Sequence, residues 1–543
     1  MKRILLTVPI ILLAIAHSGC NGNGAEKPEQ KRSDTLVPLK KVVTDASIPG
    51  NFSAQTVLKF DSTEIGKFMQ KYPEFRNFRK ELERFYSNRS YAYAWFDEGG
   101  LIEPSMDLYY RIVNITDEGI PLHVPYLPEY RKMVEGDEKT DPQSTRTPEM
   151  ELMITAQYFH YAKDAWGGIS ESQSQQDEWY IPRKKIAYDQ LLDSMLTNVN
   201  GGKELKEPVH RQYTLLKGYL KRFREIEKKG TWFPVRADRK KYEKGDTGRA
   251  VADIRKKLFL AGELAADNGS LTYDDEMVEA VKKYQLRYGM KEDGVAGPAL
   301  LREMNTPLSV RIQQIVVNME RARWIGSDPV GEHLVVNIPQ FQLMVYDERD
   351  SLSWSCRVVV GKEANKTAIF QGNLKYIVFS PYWNVPSSIL NKEILPAIRR
   401  NPNYLRAHNM EWNGKGVRQK PGGNNSLGRV KFLFPNSFSM YLHDTPSKSL
   451  FQEDRRAFSH GCIRVSEPRR LALHLLRNEP EWTEEKVDAA MNSEREQYVT
   501  VRKPLPVTIV YFTAWVDGQG RINFRDDIYK RDARLMDMIF SKK

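Results

Sequence analysis

The stretch from Tyr441 to Val465 constrains this chain more than any other. It reads Tyr441-Leu442-His443-Asp444-Thr445-Pro446, continues through a polar loop, and closes on Ser459-His460-Gly461-Cys462-Ile463-Arg464-Val465. Catalysis by a thiol needs a base to take its proton, donors to hold an oxyanion, and a tight turn that leaves the sulfur accessible. Gly461, directly before Cys462, supplies such a turn, because a residue without a side chain lets substrate approach the backbone and lets successive N–H groups converge. His443 and His460 are both placed to activate the thiol, which is only a few per cent ionised at neutral pH without an imidazole or a cation nearby. Each residue type also has a plainer role: a lone Cys is commonly a small buried hydrophobe, and a lone His a satisfied core or surface residue. Metal ligation is disfavoured, since the chain has no Cys-x-x-Cys, no His-x-x-x-His and no fourth ligand at a recognisable spacing.

The order of these residues decides between the readings. His443 is followed by fifteen residues, Asp444 to Phe458, and then by Ser459-His460-Gly461-Cys462-Ile463-Arg464 without a gap. This resembles the signature of the YkuD-type L,D-transpeptidases of bacterial cell walls: a His, a spacer of that length, Ser or Thr, His, Gly, Cys, an apolar residue, and Asn or Arg. The resemblance implies Cys462 as nucleophile, His443 as general base and acid, and the backbone carbonyl of Asp444 orienting the imidazole. It further implies Gly461 in the oxyanion site and Ser459, His460, Arg464, Trp383 and Asn384 as substrate contacts. Tyr441 lies one strand period before His443, on the same face, where its hydroxyl can reach the oxyanion.

At 543 residues the chain exceeds what one core can organise and suggests about three folded units. Charged residues make up 28% and hydrophobic residues 41%, a soluble globular composition. The net charge of +12 suits a polyanionic wall or membrane surface. No zinc-finger, RNP-like or helix-turn-helix signature accompanies it, so nucleic acid is not expected as a partner. Three cysteines, Cys20, Cys356 and Cys462, are too few for a disulfide framework. Cys356 falls within a strand pattern and reads as inert.

Lys2 and Arg3 precede an apolar run from Ile4 to Ala16, thirteen residues and so shorter than the roughly twenty a bilayer helix requires. That is the pattern of a signal peptide. His17-Ser18-Gly19-Cys20 then resembles a bacterial lipobox, with His17 standing where an aliphatic residue is usual, and implies lipidation at Cys20. From Asn21 to about Ile48 the chain is polar and rich in Gly and Pro, the composition of a tether.

Helical periodicity dominates from about Val57 to Lys240, as in Leu152, Ile154, Tyr158, Phe159 and Ala162, or Tyr213, Leu216, Leu220 and Phe223. The aromatic segment Phe85 to Leu101 resembles the scaffold region of the large Gram-negative members of the family, and it reads as packing. Between Tyr242 and Asn305, two helices and an Asp293-Gly294-Val295 turn resemble the peptidoglycan-binding type 1 module, with Ala299 where that module often has Thr. Strands follow by alternation and β-branching: Leu334–Ile338, Gln342–Tyr346, Cys356–Gly361 and Tyr376–Phe379. The irregular excursion from Pro386 to about Phe434, holding a helical stretch and the Gly422 to Gly428 loop, reads as a lid.

The expectation is therefore a multidomain α+β chain. It comprises a signal peptide over 1–19, a lipidated tether over 20–56, a helical scaffold over 57–240, a small three-helix peptidoglycan-binding-like domain over 241–306, a connecting helix over 307–331, a mostly β catalytic domain over 332–533 with a capping lid over 386–434, and a C-terminal tail over 534–543. The resemblance implies a transpeptidase that forms 3-3 cross-links between peptidoglycan stem peptides, as donor and acceptor, through a Cys462 thioester with loss of D-alanine. It would need no cofactor or metal, react with carbapenem-type β-lactams, and work in the periplasm, lipid-anchored to the outer rather than the inner membrane. Three alternatives stay open: an L,D-carboxypeptidase, a transpeptidase that attaches a protein to the wall, and a non-catalytic peptidoglycan-binding protein.

Overall fold

The computed structural model describes residues 58–97, 100–136, 146–198, 207–326 and 331–541. The signal peptide, Cys20 and the tether lie outside them. Among the described residues no helix is long and apolar enough to cross a membrane.

Helix Leu308–Trp324 explains how the parts are joined. It is buried on nearly every side, not only through Ile315, Val316, Val317, Met319 and Trp324 but also through Asn318, Glu320, Arg321 and Arg323. Buried polar groups persist only when paired, and the partners here come from other regions. Arg323 donates to the carbonyls of Ala165 and Glu118 and to Glu320, while Glu320 accepts from Ile169 N–H and from the Trp324 indole. On the C-terminal side Asn318 is bonded to Thr513, Gln314 Nε2 donates to the carbonyls of Thr513 and Arg525, and Arg321 pairs with Asp532 at 2.7 Å. The helix expected to be a connector is instead a shared core element of the scaffold and the β domain.

The scaffold is helical, with Pro148–Ala162 at its centre. Glu151, fully buried on that helix, accepts from the N–H groups of Ala94 and Trp95 and from the Tyr86 hydroxyl. The aromatic segment around Tyr86 and Trp95 is thus core, as its density suggests. The three-helix module, Arg249–Ala261, Asp275–Arg287 and Pro298–Met304, closes a separate apolar cluster around Val251, Ile254, Leu258, Met277, Val281 and Tyr284. Its closing turn needs glycine: Gly294 has φ +71°, and a Cβ there would stand 2.8 Å from Val278.

The main sheet of the β domain has nine strands: β1 His333–Asn337, β2 Gln342–Tyr346, β3 Leu352–Gly361, β4 Gln371–Phe379, β5 Val430–Leu433, β6 Tyr441–His443, β7 Ala457–Ser459, β8 Ile463–Val465 and β9 Gln497–Val510. Their order is β7-β3-β8-β6-β5-β4-β9-β1-β2, and β2 pairs back onto β3, so eight strands close on themselves with β7 appended. Closure removes the exposed edges of an open sheet. Two strand pairs matter for the site. β6 and β8 run parallel with Leu442 beside Ile463 and His443 beside Arg464, and β5 runs antiparallel to β6 with Lys431 opposite His443.

Between β4 and β5 the chain makes an insertion with its own small core of Val385, Leu390, Ile394 and Val417, and a three-stranded sheet of Trp383–Asn384, Gly416–Gln419 and Met410–Asn413. Residues 430–433, expected in the lid, belong to the barrel as β5, because Val430 and Phe432 are fully buried in its core. Most of the stretch expected to be a tail forms the helix Asp532–Phe540, held by Leu535 and Ile539.

Candidate active site

Alternation along two short strands builds the site. Leu442 and Ile463 are fully buried and fix the inward face of β6 and β8; each such side chain contributes about 1.5–3 kcal/mol by leaving water. Tyr441, His443 and Arg464 therefore share the opposite face, and Cys462, one residue before Ile463, aligns with Tyr441. Tyr441 is close enough to the sulfur to oppose the rise that burial imposes on the Cys462 thiol. Its ring lies 5.7 Å from the His443 ring, edge to face. The Cys462 thiol donates to the Ser439 carbonyl at 3.9 Å.

His443 is buried and its Nδ1 is bonded to the Asp444 carbonyl at 2.5 Å, the partner implied by the sequence resemblance. That bond places the proton on Nδ1 and leaves Nε2 as the acceptor. Burial, aided by the Arg464 guanidinium, pushes the imidazole down to about 4. Burial raises the Cys462 thiol, with Tyr441 and Arg464 opposing it, and lifts the Tyr441 hydroxyl well above its ordinary range. The resting site near neutral pH is a neutral thiol, a neutral imidazole able to accept a proton, and a phenol that stays a donor.

Asp444 is itself fixed. Its carboxylate accepts from Arg429 N–H at 2.9 Å and from Lys448, and its N–H donates to the Val430 carbonyl. Gly428 makes room for it: φ is +63°, and a Cβ would fall 2.3 Å from Asp444 Oδ2. Sequence alone places Gly428 only at the end of a Gly/Asn-rich loop, with no sign of this contact.

The turn before the cysteine corrects two expectations. Gly461 has φ +120°, which favours glycine, but its N–H donates to Ser459 Oγ at 3.1 Å and so is spent inside the turn rather than offered to an oxyanion. Ser459, expected to contact substrate, is buried and donates its hydroxyl to the Cys462 carbonyl at 2.6 Å. Both residues shape the turn. Thr367 supports it from behind, donating to the Gly461 carbonyl at 2.8 Å and accepting from Gly361 N–H, while the Tyr529 hydroxyl donates to the Gly361 carbonyl. Neither Thr367 nor Tyr529 carries a sequence signal, since they reach the turn only through tertiary packing.

His460 points away from the sulfur's partners toward the insertion, where its Nε2 lies 3.1 Å from Glu393. The insertion is thereby tied to the residue two before Cys462. Trp383 packs on the insertion's core and Asn384 is exposed on its small sheet, accepting from Asn413 at 3.4 Å. They belong to the insertion rather than to the Tyr441–His443–Cys462 cluster. Among the described residues no group of three or more His, Cys, Asp or Glu is arranged to hold a metal ion.

Comparison with known proteins assigns the segments. Residues 331–485 match the L,D-transpeptidase catalytic domain, YkuD; residues 80–220 match the family described as a scaffold domain; residues 247–304 match one described as "Putative peptidoglycan binding domain". A protein of Haemophilus influenzae named "Putative L,D-transpeptidase" is 33% identical over 244 residues, covering 41% of this chain and 49% of its own length, so the match spans about half of that relative. Among solved structures, an L,D-transpeptidase from Stackebrandtia nassauensis is 14% identical, with 50% of this chain and 94% of that one covered and a TM-score of 0.23. L,D-transpeptidase 3 from Mycobacterium tuberculosis, in complex with a faropenem-derived adduct, is 16% identical, with 34% and 61% covered and a TM-score of 0.19.

Proposed function

We propose, from the premise that this chain carries a YkuD-type L,D-transpeptidase catalytic domain behind a scaffold domain and a peptidoglycan-binding domain, that it forms 3-3 cross-links between peptidoglycan stem peptides. The observation that carries the reading is the convergence of Tyr441, His443 and Cys462 on one face of the β6/β8 pair, with His443 oriented by the Asp444 carbonyl. The thiol of Cys462 attacks the carbonyl of the third, L-configured residue of a donor tetrapeptide as His443 Nε2 takes the S–H proton. The oxyanion that forms accepts a hydrogen bond from the Tyr441 hydroxyl, a donor whose protonation burial protects. Collapse breaks the peptide bond; the proton on His443 passes to the departing amine of D-alanine, leaving an acyl-thioester. The amine of a second stem then attacks the thioester, His443 takes its proton, and Cys462 leaves and is reprotonated.

A neutral base suits both halves. His443, held at about 4 by burial, is unprotonated throughout the neutral range, so its Nε2 lone pair is free to face the thiol or amine proton. Arg464, on the same face, offers a positive charge for a stem carboxylate. The insertion tied to the turn through His460 and Glu393 supports a cover that favours the amine over water. The same thiol would open a carbapenem ring to give a stable adduct. Lipidation at Cys20 and a periplasmic, membrane-tethered location complete the proposal.

Mass analysis of muropeptides released after purified protein acts on tetrapeptide-rich sacculi tests it. Tetrapeptide–tripeptide dimers with free D-alanine are expected. Tripeptide alone would make the protein a carboxypeptidase, and unchanged sacculi would leave only wall binding.

A further inference from the structure

Among the described residues, the scaffold segment after Gln176 approaches the catalytic turn. After the helix Glu171–Gln176, whose start is fixed by a Ser170–Gln173 capping box, the chain runs extended across the β domain. The Tyr180 N–H donates to the Ile369 carbonyl at 2.8 Å, and Trp179 forms a parallel bridge with Ile369. Trp179 is almost fully buried, edge-on to Trp324 at 5.1 Å. Glu178 pairs with Arg531 at 2.5 Å, and the Asp177 carbonyl also accepts from Arg531. Anchored on both sides, the segment holds the Tyr180 ring 4.8 Å from Phe438, which also packs on Phe370 at 5.0 Å.

Phe438 belongs to the short loop that receives the catalytic thiol. Asn436 closes that loop: its Oδ1 accepts from the N–H groups of Phe438 and Met440, and its Nδ2 donates to the carbonyls of Phe434 and Met440. Within it Ser439 is held at φ +54°, a conformation a non-glycine residue adopts only where its surroundings impose it. Its carbonyl accepts from Cys462 Sγ. The adjoining Met440 methyl lies 3.5 Å from where a Gly461 Cβ would stand. A chain of contacts thus runs from Tyr180 through Phe438 to the carbonyl that holds the thiol. Yet Tyr180 is 42% exposed, more than a residue needed only for core packing would be.

We propose that Tyr180 is a positioning residue for Cys462, through which the scaffold domain sets the resting orientation of the catalytic thiol by pinning Phe438 and thereby the Ser439 carbonyl. The proposal rests on the transpeptidase reading for its purpose, but the geometry concerns the thiol itself and can be tested apart from turnover. An acceptor bonded to S–H favours the neutral thiol, so loosening the Ser439 carbonyl should ease ionisation while blurring the angle of attack.

The test uses the full chain and the variants Tyr180→Ala, Tyr180→Phe, Phe438→Ala and the Tyr180→Ala/Phe438→Ala double. Two reactions are followed on the Cys462 peptide: alkylation by iodoacetamide as a function of pH, and acylation by imipenem. Tyr180→Ala is expected to move the alkylation midpoint to lower pH and to slow imipenem acylation roughly tenfold, since a small misplacement of reacting atoms has effects of this order. Tyr180→Phe, which keeps the ring, should behave as wild type, and the double variant should be no worse than Phe438→Ala alone. An unmoved midpoint in Tyr180→Ala overturns the proposal, as does a slower acylation that only follows a lower melting temperature. If Tyr180→Ala does not fold, Tyr180→Leu, which keeps bulk without the aromatic face, takes its place with the same two outcomes. A wild-type chain inert to imipenem would contradict the transpeptidase reading, while the alkylation profiles would still decide the role of Tyr180.

Discussion

Cys356 and Cys462 sit on or beside neighbouring strands of one barrel, β3 and β8, which pair through Val358–Val359 and Arg464–Val465. Cys356 lies mid-strand opposite Leu343, almost fully buried, and burial pushes its thiol up to about 11. Burial raises Cys462 as well. Burial pushes both thiols the same way, but Cys462 is partly exposed where Cys356 is buried, and the two differ in company. Around Cys462 the chain stops its ladder for one tight turn and collects a phenol, an imidazole, a guanidinium and a backbone carbonyl. Around Cys356 the ladder continues and the side chain is one more small hydrophobe. What sets Cys462 apart is its place at the end of a strand among polar groups, not a more favourable thiol.

The strongest way to break that contrast is to remove the His443 imidazole, the proposed base. His443→Ala should lower turnover by a factor of about 10² to 10⁴, the usual worth of a positioned general base, with His460→Ala costing far less because its ring faces Glu393. Steady-state cross-linking rates check this, and a reversed ranking would shift the role of base to His460. Gly428→Ala should come next. A Cβ 2.3 Å from Asp444 Oδ2 has to displace the residue whose carbonyl orients His443, so a loss of tens-fold in acylation rate is expected, on the order seen for ångström-scale misplacement.

Acid stability sharpens the comparison from the side of the base. The His443 imidazole is held at about 4 in the fold against 6.5 when unperturbed. Between those values the unfolded chain binds a proton that the folded chain does not. The histidine's contribution is thus intact above about 6.5 and is lost as pH falls toward 4. Melting temperature measured across that window should fall more steeply in the wild type than in His443→Asn. Parallel slopes would mean that the imidazole is not held neutral. The smallest effect belongs to Cys356→Ala: unchanged turnover, and destabilisation of about 1 kcal/mol, typical of a single core change, read from denaturant midpoints.

Much of the site is legible in the sequence itself. Alternation in Tyr441-Leu442-His443 and the fixed run from Ser459 to Arg464 carry their own geometry, because a strand's side chains alternate and Gly461 marks the turn. What is not legible there is non-local. That Ser459 spends its hydroxyl on the turn, that Thr367 and Tyr529 brace it, and that Gly428 yields space to Asp444 all depend on strands distant in sequence meeting at one end of the barrel. The helix Leu308–Trp324, expected as a connector, differs for a related reason: its Arg, Glu and Asn side chains are buried and bonded to partners from two regions. The helical scaffold and the three-helix module, by contrast, follow from local periodicity and fold as that periodicity implies.

Peptide mapping of the full chain after reaction with imipenem tests the central claim most directly, because both cysteines of the barrel compete in one molecule. A single adduct on the peptide carrying Cys462, none on that carrying Cys356, and no adduct in Cys462→Ala despite an unchanged melting temperature are the predicted results. An adduct on Cys356, or one that survives in a folded Cys462→Ala variant, would contradict the assignment of Cys462 as the nucleophile.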